Sequence, residues 1–241
     1  NPGRTARVDS AMLAAAILRN TGKEVIFNLS TRDMNKLAAQ SLLLGANLLG
    51  LENVVALKGD AFTQRDLAVV KPVDDFRPTG LVSSIRSMNE GIDFKGAKLR
   101  SPTGFCVGAT IDLGHQFEGE MRLVRRKVEA GAQFFLLQAL FDPLRLKEFL
   151  AGYAERYGEG LVAPVFCGVQ VMTEDSLVFG EVPRWVTDDL DRGRSGEDIA
   201  LQVLRGYVDE RFRSIYLVPP IMRGGRRDYE AAQRVMEAFR A

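Results

Sequence analysis

The sequence predicts an α/β fold of the TIM (β/α)8 barrel type, with residues 1–241 forming one domain, and three observations predict it. A length of 241 residues is close to the roughly 250 that one such barrel uses. Short apolar runs alternate with helix-period stretches along the chain. That is the plan of a parallel sheet joined by right-handed crossovers. Neither GxGxxG after a strand nor GxxxxGKS/T occurs, which argues against the dinucleotide-binding and P-loop arrangements of an open, doubly wound sheet.

The elements follow in order. "SAMLAAAILRNTGK" has helical spacing and no strand before it. "EVIFNLS" (24–30) is the first strand. The helix in "STRDMNKLAAQSLLLGANLLG" starts among polar cap candidates and stops at Gly50. "NVVALKG" (53–59) and "FCVGATI" (105–111) are the next strands. "FEGEMRLVRRKVEAGA" is a helix with acids early, bases late and Gly131 at its end. "FFLLQAL" (134–140), "VAPVFCGVQV" (162–171) and "SIYLVPP" (214–220) complete the strands. The helices "SGEDIALQVLRGYVDER" and "RDYEAAQRVMEAFRA" flank the last of them. The strand runs are nearly continuous in apolar character, so both faces are expected to be covered. Six strands are two short of eight, and an open barrel would expose unpaired edges. The first two strands are therefore expected to precede Asn1, leaving the domain N-terminally incomplete as it stands.

Lys and Arg number 32 against 31 Asp and Glu. A net charge of +1 gives no reason to expect a nucleic-acid or anionic-membrane partner. No apolar run approaches the roughly 18 residues of a membrane span and no signal peptide opens the chain, which reads as a cytoplasmic protein. Cys106 and Cys167 lie inside strand runs and are read as reduced core thiols. One histidine, His115, and no Cys–His cluster argue against a metal site.

Active sites of such barrels are built at the C-terminal ends of the strands. The polar residues there are Asn28, Ser30 and Arg32; Lys58 and Asp60; Asp112 and His115; Gln138 and Asp142; Gln170 and Thr173; and Arg223. Asp60 is either a turn cap or an acceptor for an amino-heterocycle, with Gly59 permitting close backbone approach. Gln138 interrupts an apolar strand and is either a satisfied core amide or a reader of a paired donor–acceptor edge. Asp142, before Pro143, reads as a helix N-cap. His115 reads as a surface histidine. "MRGGRRD" (222–228) is a solvated loop or a phosphate site. No nucleophile with an adjacent base is evident, the pattern expected where a cofactor carries the chemistry.

Three ordered stretches carry a resemblance: "NLSTRDMNKLAAQSLLLGANLLGLENVVALKGD", "SIRSMNEGIDFKGAKLRSPTGFCVGA" and "LVRRKVEAGAQFFLLQALFD". With "PVFCGVQVMT" they cover about two thirds of the chain, which resembles the methylenetetrahydrofolate reductase family. The resemblance implies a barrel that holds FAD, takes a hydride from NAD(P)H and reduces 5,10-methylenetetrahydrofolate to 5-methyltetrahydrofolate. That places it in one-carbon metabolism and methionine biosynthesis. It implies a catalytic Asp60 and a folate site of Asp60, Gln138 and Arg223. It implies a flavin site of Asn28, Lys58, Gly59, Asp60, Gly108, Ala109, Arg126 and Lys127. A small-molecule folate is the implied partner, with room for a homo-oligomer or a partner subunit. The chain departs from the family at Asn28 and Thr31, where the family has histidine and cysteine, at Leu137, at "TIDLG" and at "VPPIMR". Those departures keep open a non-reducing pterin-binding paralogue or another pterin-dependent methyl-transfer barrel.

Overall fold

Strands and helices follow one another along the described residues, with α-helices between the successive strands of a parallel sheet. The structure, a computed structural model, describes residues 3–114, 116–173, 176–178, 180–222 and 224–240. In order, the elements begin α1 (Ser10–Thr21), β1 (Ile26–Ser30), α2 (Lys36–Leu48), β2 (Asn53–Leu57), α3 (Gln64–Leu67) and α4 (Pro78–Asn89). They continue with β3 (Cys106–Ile111), α5 (Phe117–Ala130), β4 (Phe134–Leu137), α6 (Leu144–Tyr157), β5 (Val165–Gln170) and β6 (Ser176–Leu177). The last are α7 (Arg184–Asp191), α8 (Gly196–Asp209), β7 (Ile215–Val218), β8 (Ile221–Met222) and α9 (Tyr229–Arg240). All six expected strands form. Two compact units result: Asn1–Thr110 with Leu123–Phe135, and Ile111–Arg122 with Leu136–Ala241.

In the first unit β1, β2, β3 and the start of β4 are neighbours in that order. β1 and β2 run parallel, pairing Ile26 with Asn53 through to Ser30 with Leu57. β2 and β3 are also parallel, pairing Val54 with Val107. Val54, Val55, Ala56, Val107 and Ala109 are fully or almost fully buried, as expected of strands covered on both faces. Leu81, Val82, Ile85 and Met88 of α4 present a helical stripe to this core, each fully buried. Asp9 caps α1 by accepting from the Ala11 and Met12 N–H groups, and Asn35 caps α2 by accepting from Ala38 N. Gly108 is required by its neighbour on β4: a Cβ there would overlap the Phe134 ring.

In the second unit the end of β4, β5 and β7 are neighbours. β5 and β7 run parallel, with Gly168 opposite Tyr216 and Gln170 opposite Val218. The Tyr216 hydroxyl passes over Gly168 and donates to Leu137 O at 2.8 Å. Ser195 caps α8, whose Ile199, Ala200, Val203 and Tyr207 are buried. Arg234 of α9 ties back to Glu197 of α8 at 2.7 Å. The short β6 and β8 pair antiparallel, and the Gln170 amide donates to Leu177 O beside them.

α2 begins at Lys36 and its cap is Asn35, one of the polar candidates of that stretch. Two expectations are corrected. The cap position of α6 is Pro143; Asp142 instead accepts from Leu144 N at 3.0 Å, a local turn just ahead of the helix. Of the two thiols, Cys167 is fully buried but Cys106 is only partly so. No helix among the described residues is long and apolar enough to cross a membrane.

Candidate functional site

The strand ends of the first unit are fastened to one another before any ligand is considered. Ser30 Oγ donates to Lys58 O at 3.1 Å and accepts from Arg32 N at 3.2 Å. Thr31 N extends the β1–β2 ladder by donating to Leu57 O. Gly59 has φ of 84°, and a Cβ there would overlap Ser30 Oγ. The glycine is thus demanded by the neighbouring strand as well as by backbone geometry. Asp60 is exposed at the end of this turn.

Beside it lies a cavity of about 620 Å³, lined by Thr31, Lys58, Arg77, Thr79, Arg126 and Lys127 among others. The size is typical of cofactor and substrate sites. Four cations line it against one carboxylate, that of Asp74. Lys127 is 4% exposed and its Nζ donates to Thr110 O at 2.5 Å, which satisfies part of a buried ammonium. Arg126 and Lys58 are exposed. The cavity also takes in the start of α4, where Arg77 is the cap residue, no side chain caps the helix, and Pro78 follows. The early N–H groups of α4, at Thr79 and Gly80, therefore lack a side-chain acceptor, and the positive end of the helix dipole adds to the cations. Thr31 is 2% exposed and its Oγ1 has no hydrogen-bond partner. A buried hydroxyl left unpaired is costly. This arrangement suits a multiply charged anion.

A second cavity of about 230 Å³ lies in the second unit, lined by Asp112, Gln138, Asp142, Arg145 and Glu181 among others. With its amide nitrogen turned to Asp112, Gln138 donates to Oδ1 at 3.0 Å and Oδ2 at 3.2 Å; hydrogen-bond satisfaction fixes this orientation. Asp112 also accepts from Gly114 N at 2.9 Å. Arg145 donates to Leu113 O at 2.7 Å and lies over the Phe117 ring, while its Nε is enclosed without a partner.

Of the residues named from sequence, Lys58, Arg126 and Lys127 come together around the first cavity. Asn28, Gly59, Asp60, Gly108 and Ala109 belong to the same unit, but only as strand and strand-end positions. Asn28 is half-buried and its carbonyl accepts from Ser10 Oγ at 2.5 Å. Ala109 is fully buried. Gln138 lies in the second unit. Arg223 and His115 lie outside the described residues. Arg77, Thr79 and Arg145 went unread in the sequence. Pro78 after Arg77 was a usable helix-start signal; for Arg145 there was none.

The methylenetetrahydrofolate reductase family model matches residues 1–200. A probable methylenetetrahydrofolate reductase (NADPH) of Caenorhabditis elegans is 23% identical over 201 residues, which is 78% of this chain and 28% of that protein. The chain thus spans little more than a quarter of that relative's length. Among solved structures, a Clostridium thermocellum protein that binds two copies of 5-methyl-5,6,7,8-tetrahydrofolic acid aligns over 93% of this chain and 98% of its own. That alignment has 12% identity and a TM-score of 0.45. A phosphonopyruvate hydrolase complexed with oxalate and Mg aligns over 97% of this chain and 70% of its own, with 11% identity and a TM-score of 0.48.

Proposed function

The chain belongs to the methylenetetrahydrofolate reductase family, and we propose that it carries the flavin and folate sites of an enzyme reducing 5,10-methylenetetrahydrofolate with NAD(P)H. The observation that carries this reading is the cationic cavity of the first unit, where Lys58, Arg126 and Lys127 converge beside the unpaired Thr31 hydroxyl. A dinucleotide cofactor bears a diphosphate, and this donor set fits one: two exposed cations, a buried third and an uncapped helix start. When bound, FAD supplies hydride acceptance from the nicotinamide and hydride donation to the folate.

The chain's own residues then have separable tasks. Lys58 and Arg126 would neutralise the diphosphate, and Lys127, anchored on Thr110 O, would keep a fixed positive charge in the same cavity. Asp60 accepts from the amino edge of the pterin and opposes positive charge developing on that ring. In the second unit, Gln138 has its nitrogen committed to Asp112, and its amide is the candidate folate contact of that unit's own cavity. The closed eight-stranded barrel belongs to this proposal as well.

The test is purification of the full-length protein, inspection for flavin absorbance, and assay of NAD(P)H oxidation with methylenetetrahydrofolate. Stoichiometric flavin with folate-dependent turnover is the expected result. Folate binding with neither flavin nor turnover would replace it with the non-reducing reading.

A further inference from the structure

We propose that Arg32 is the positioning residue for Asp60, holding the turn that carries this carboxylate in its reactive place; the inference rests on the reductase reading above. Arg32 is 6% exposed, an unusual position for a guanidinium unless its donors are used. Nη1 donates to Asp60 O at 2.6 Å. Nε and Nη2 form a fork on the Asp33 carboxylate at 2.6 and 2.9 Å, and Nη2 also donates to Gly3 O at 2.8 Å. The guanidinium carbon stands 4.2 Å from the centroid of the Phe62 ring. One planar group thus grips the turn at Asp60 and again at Phe62, two residues later.

The grip matters because Asp60 is exposed and its direction follows from its backbone. Two ties fix that backbone: Ser30 Oγ on Lys58 O ahead of Asp60, and Arg32 on Asp60 O itself. The Asp33 fork fixes the plane of the guanidinium, so that its Nη1 edge faces the carbonyl. A lysine here could keep a single bond but neither the fork nor the flat stack on Phe62. Arg32 acts through Asp60, not on the reacting atoms. Its loss should therefore separate the two halves of the reaction, since small misplacements of a reacting group slow the step that uses it.

The experiment uses the full-length enzyme as wild type, Arg32→Lys and Phe62→Leu, the last a mild change that tests the stack if the first folds poorly. Hydrogen exchange is followed at the amides of residues 59–62. Reduction of the flavin by NAD(P)H and its reoxidation by methylenetetrahydrofolate are timed separately. Faster exchange at 59–62 is expected in both variants. Reoxidation by folate should slow by about 10- to 100-fold in Arg32→Lys, with flavin retention and reduction by NAD(P)H within about twofold of wild type. Unchanged exchange, or equal losses in both half-reactions, would overturn the assignment. A wild type without flavin or folate turnover would sink the reductase reading instead, and the exchange data alone would then decide the clamp.

Discussion

The Ser30 hydroxyl fills the space that a side chain on Gly59 would need. The ends of β1 and β2 therefore interlock, and substitution at Gly59 meets two penalties together, a positive φ and a steric overlap. Gly59→Ala should lower stability by about 1–3 kcal/mol. Gly45 is the control: it sits inside α2 with open space around its missing Cβ, so Gly45→Ala should raise stability by roughly 0.5–1 kcal/mol. Urea unfolding of both variants reads the opposite signs directly; a neutral Gly59→Ala would show that the interlock is dispensable.

Charge in the first cavity should govern cofactor retention. Lys58→Ala and Arg126→Ala should each weaken FAD binding about tenfold, a loss of about 1.4 kcal/mol. The difference from wild type should shrink as salt is raised, because both side chains are exposed. Titration by flavin fluorescence at low and high salt checks this. Salt-independent losses would point to packing rather than charge.

Substitutions at Asp60 and at Gln138 should have different effects. Asp60→Asn keeps the shape and removes the charge, so reoxidation by folate should slow by an amount equal to a few kcal/mol while reduction by NAD(P)H is spared. Gln138→Ala should weaken folate binding by roughly 1–3 kcal/mol, with little change in the flavin. Stopped-flow half-reactions and calorimetry separate these outcomes; equal effects on both half-reactions would remove Asp60 from its role.

Alkaline pH should destabilise the second unit. Burial pushes the Cys167 thiol from 9.0 up to about 12. Burial first, and then the neighbouring Cys167, push the Tyr216 phenol from 10.0 up to about 12. Both raised values mean that the unfolded chain loses these protons first. Their contribution is therefore fully present below about pH 9 and fades as pH rises toward about 12, Cys167 alone giving a slope of at most about 1.4 kcal/mol per pH unit. Denaturant midpoints measured from pH 8 upward should fall, and Cys167→Ser should flatten that fall. At pH 8 iodoacetamide should leave Cys167 unmodified in the native protein.

The strands were legible because each is a short, continuous apolar run bounded by polar or glycine residues, as in "NVVAL" and "CVGATI". Helices α1, α2, α5, α8 and α9 carried caps or charge gradients that local rules read well. α4 was not read, since it opens on "PTG" with no side-chain cap, although Leu81, Val82, Ile85 and Met88 keep a helical period. With α4 went Arg77 and Thr79, one wall of the cavity. The unpaired state of Thr31 was beyond reach for a different reason: it depends on which atoms surround a hydroxyl, and no spacing rule reports that. The same holds for Arg32, whose partners Gly3 and Asp60 are 29 and 28 residues away in sequence.

Helix α4 opens on an arginine and a proline, neither able to accept from the amides that follow. An anion seated there would serve as the missing first residue of that helix, so occupancy and local folding become one equilibrium. Ligand at 100 times its dissociation constant would add about 2.7 kcal/mol to the folded state. Loss of such an anion would then register first as fraying of the segment around Pro78.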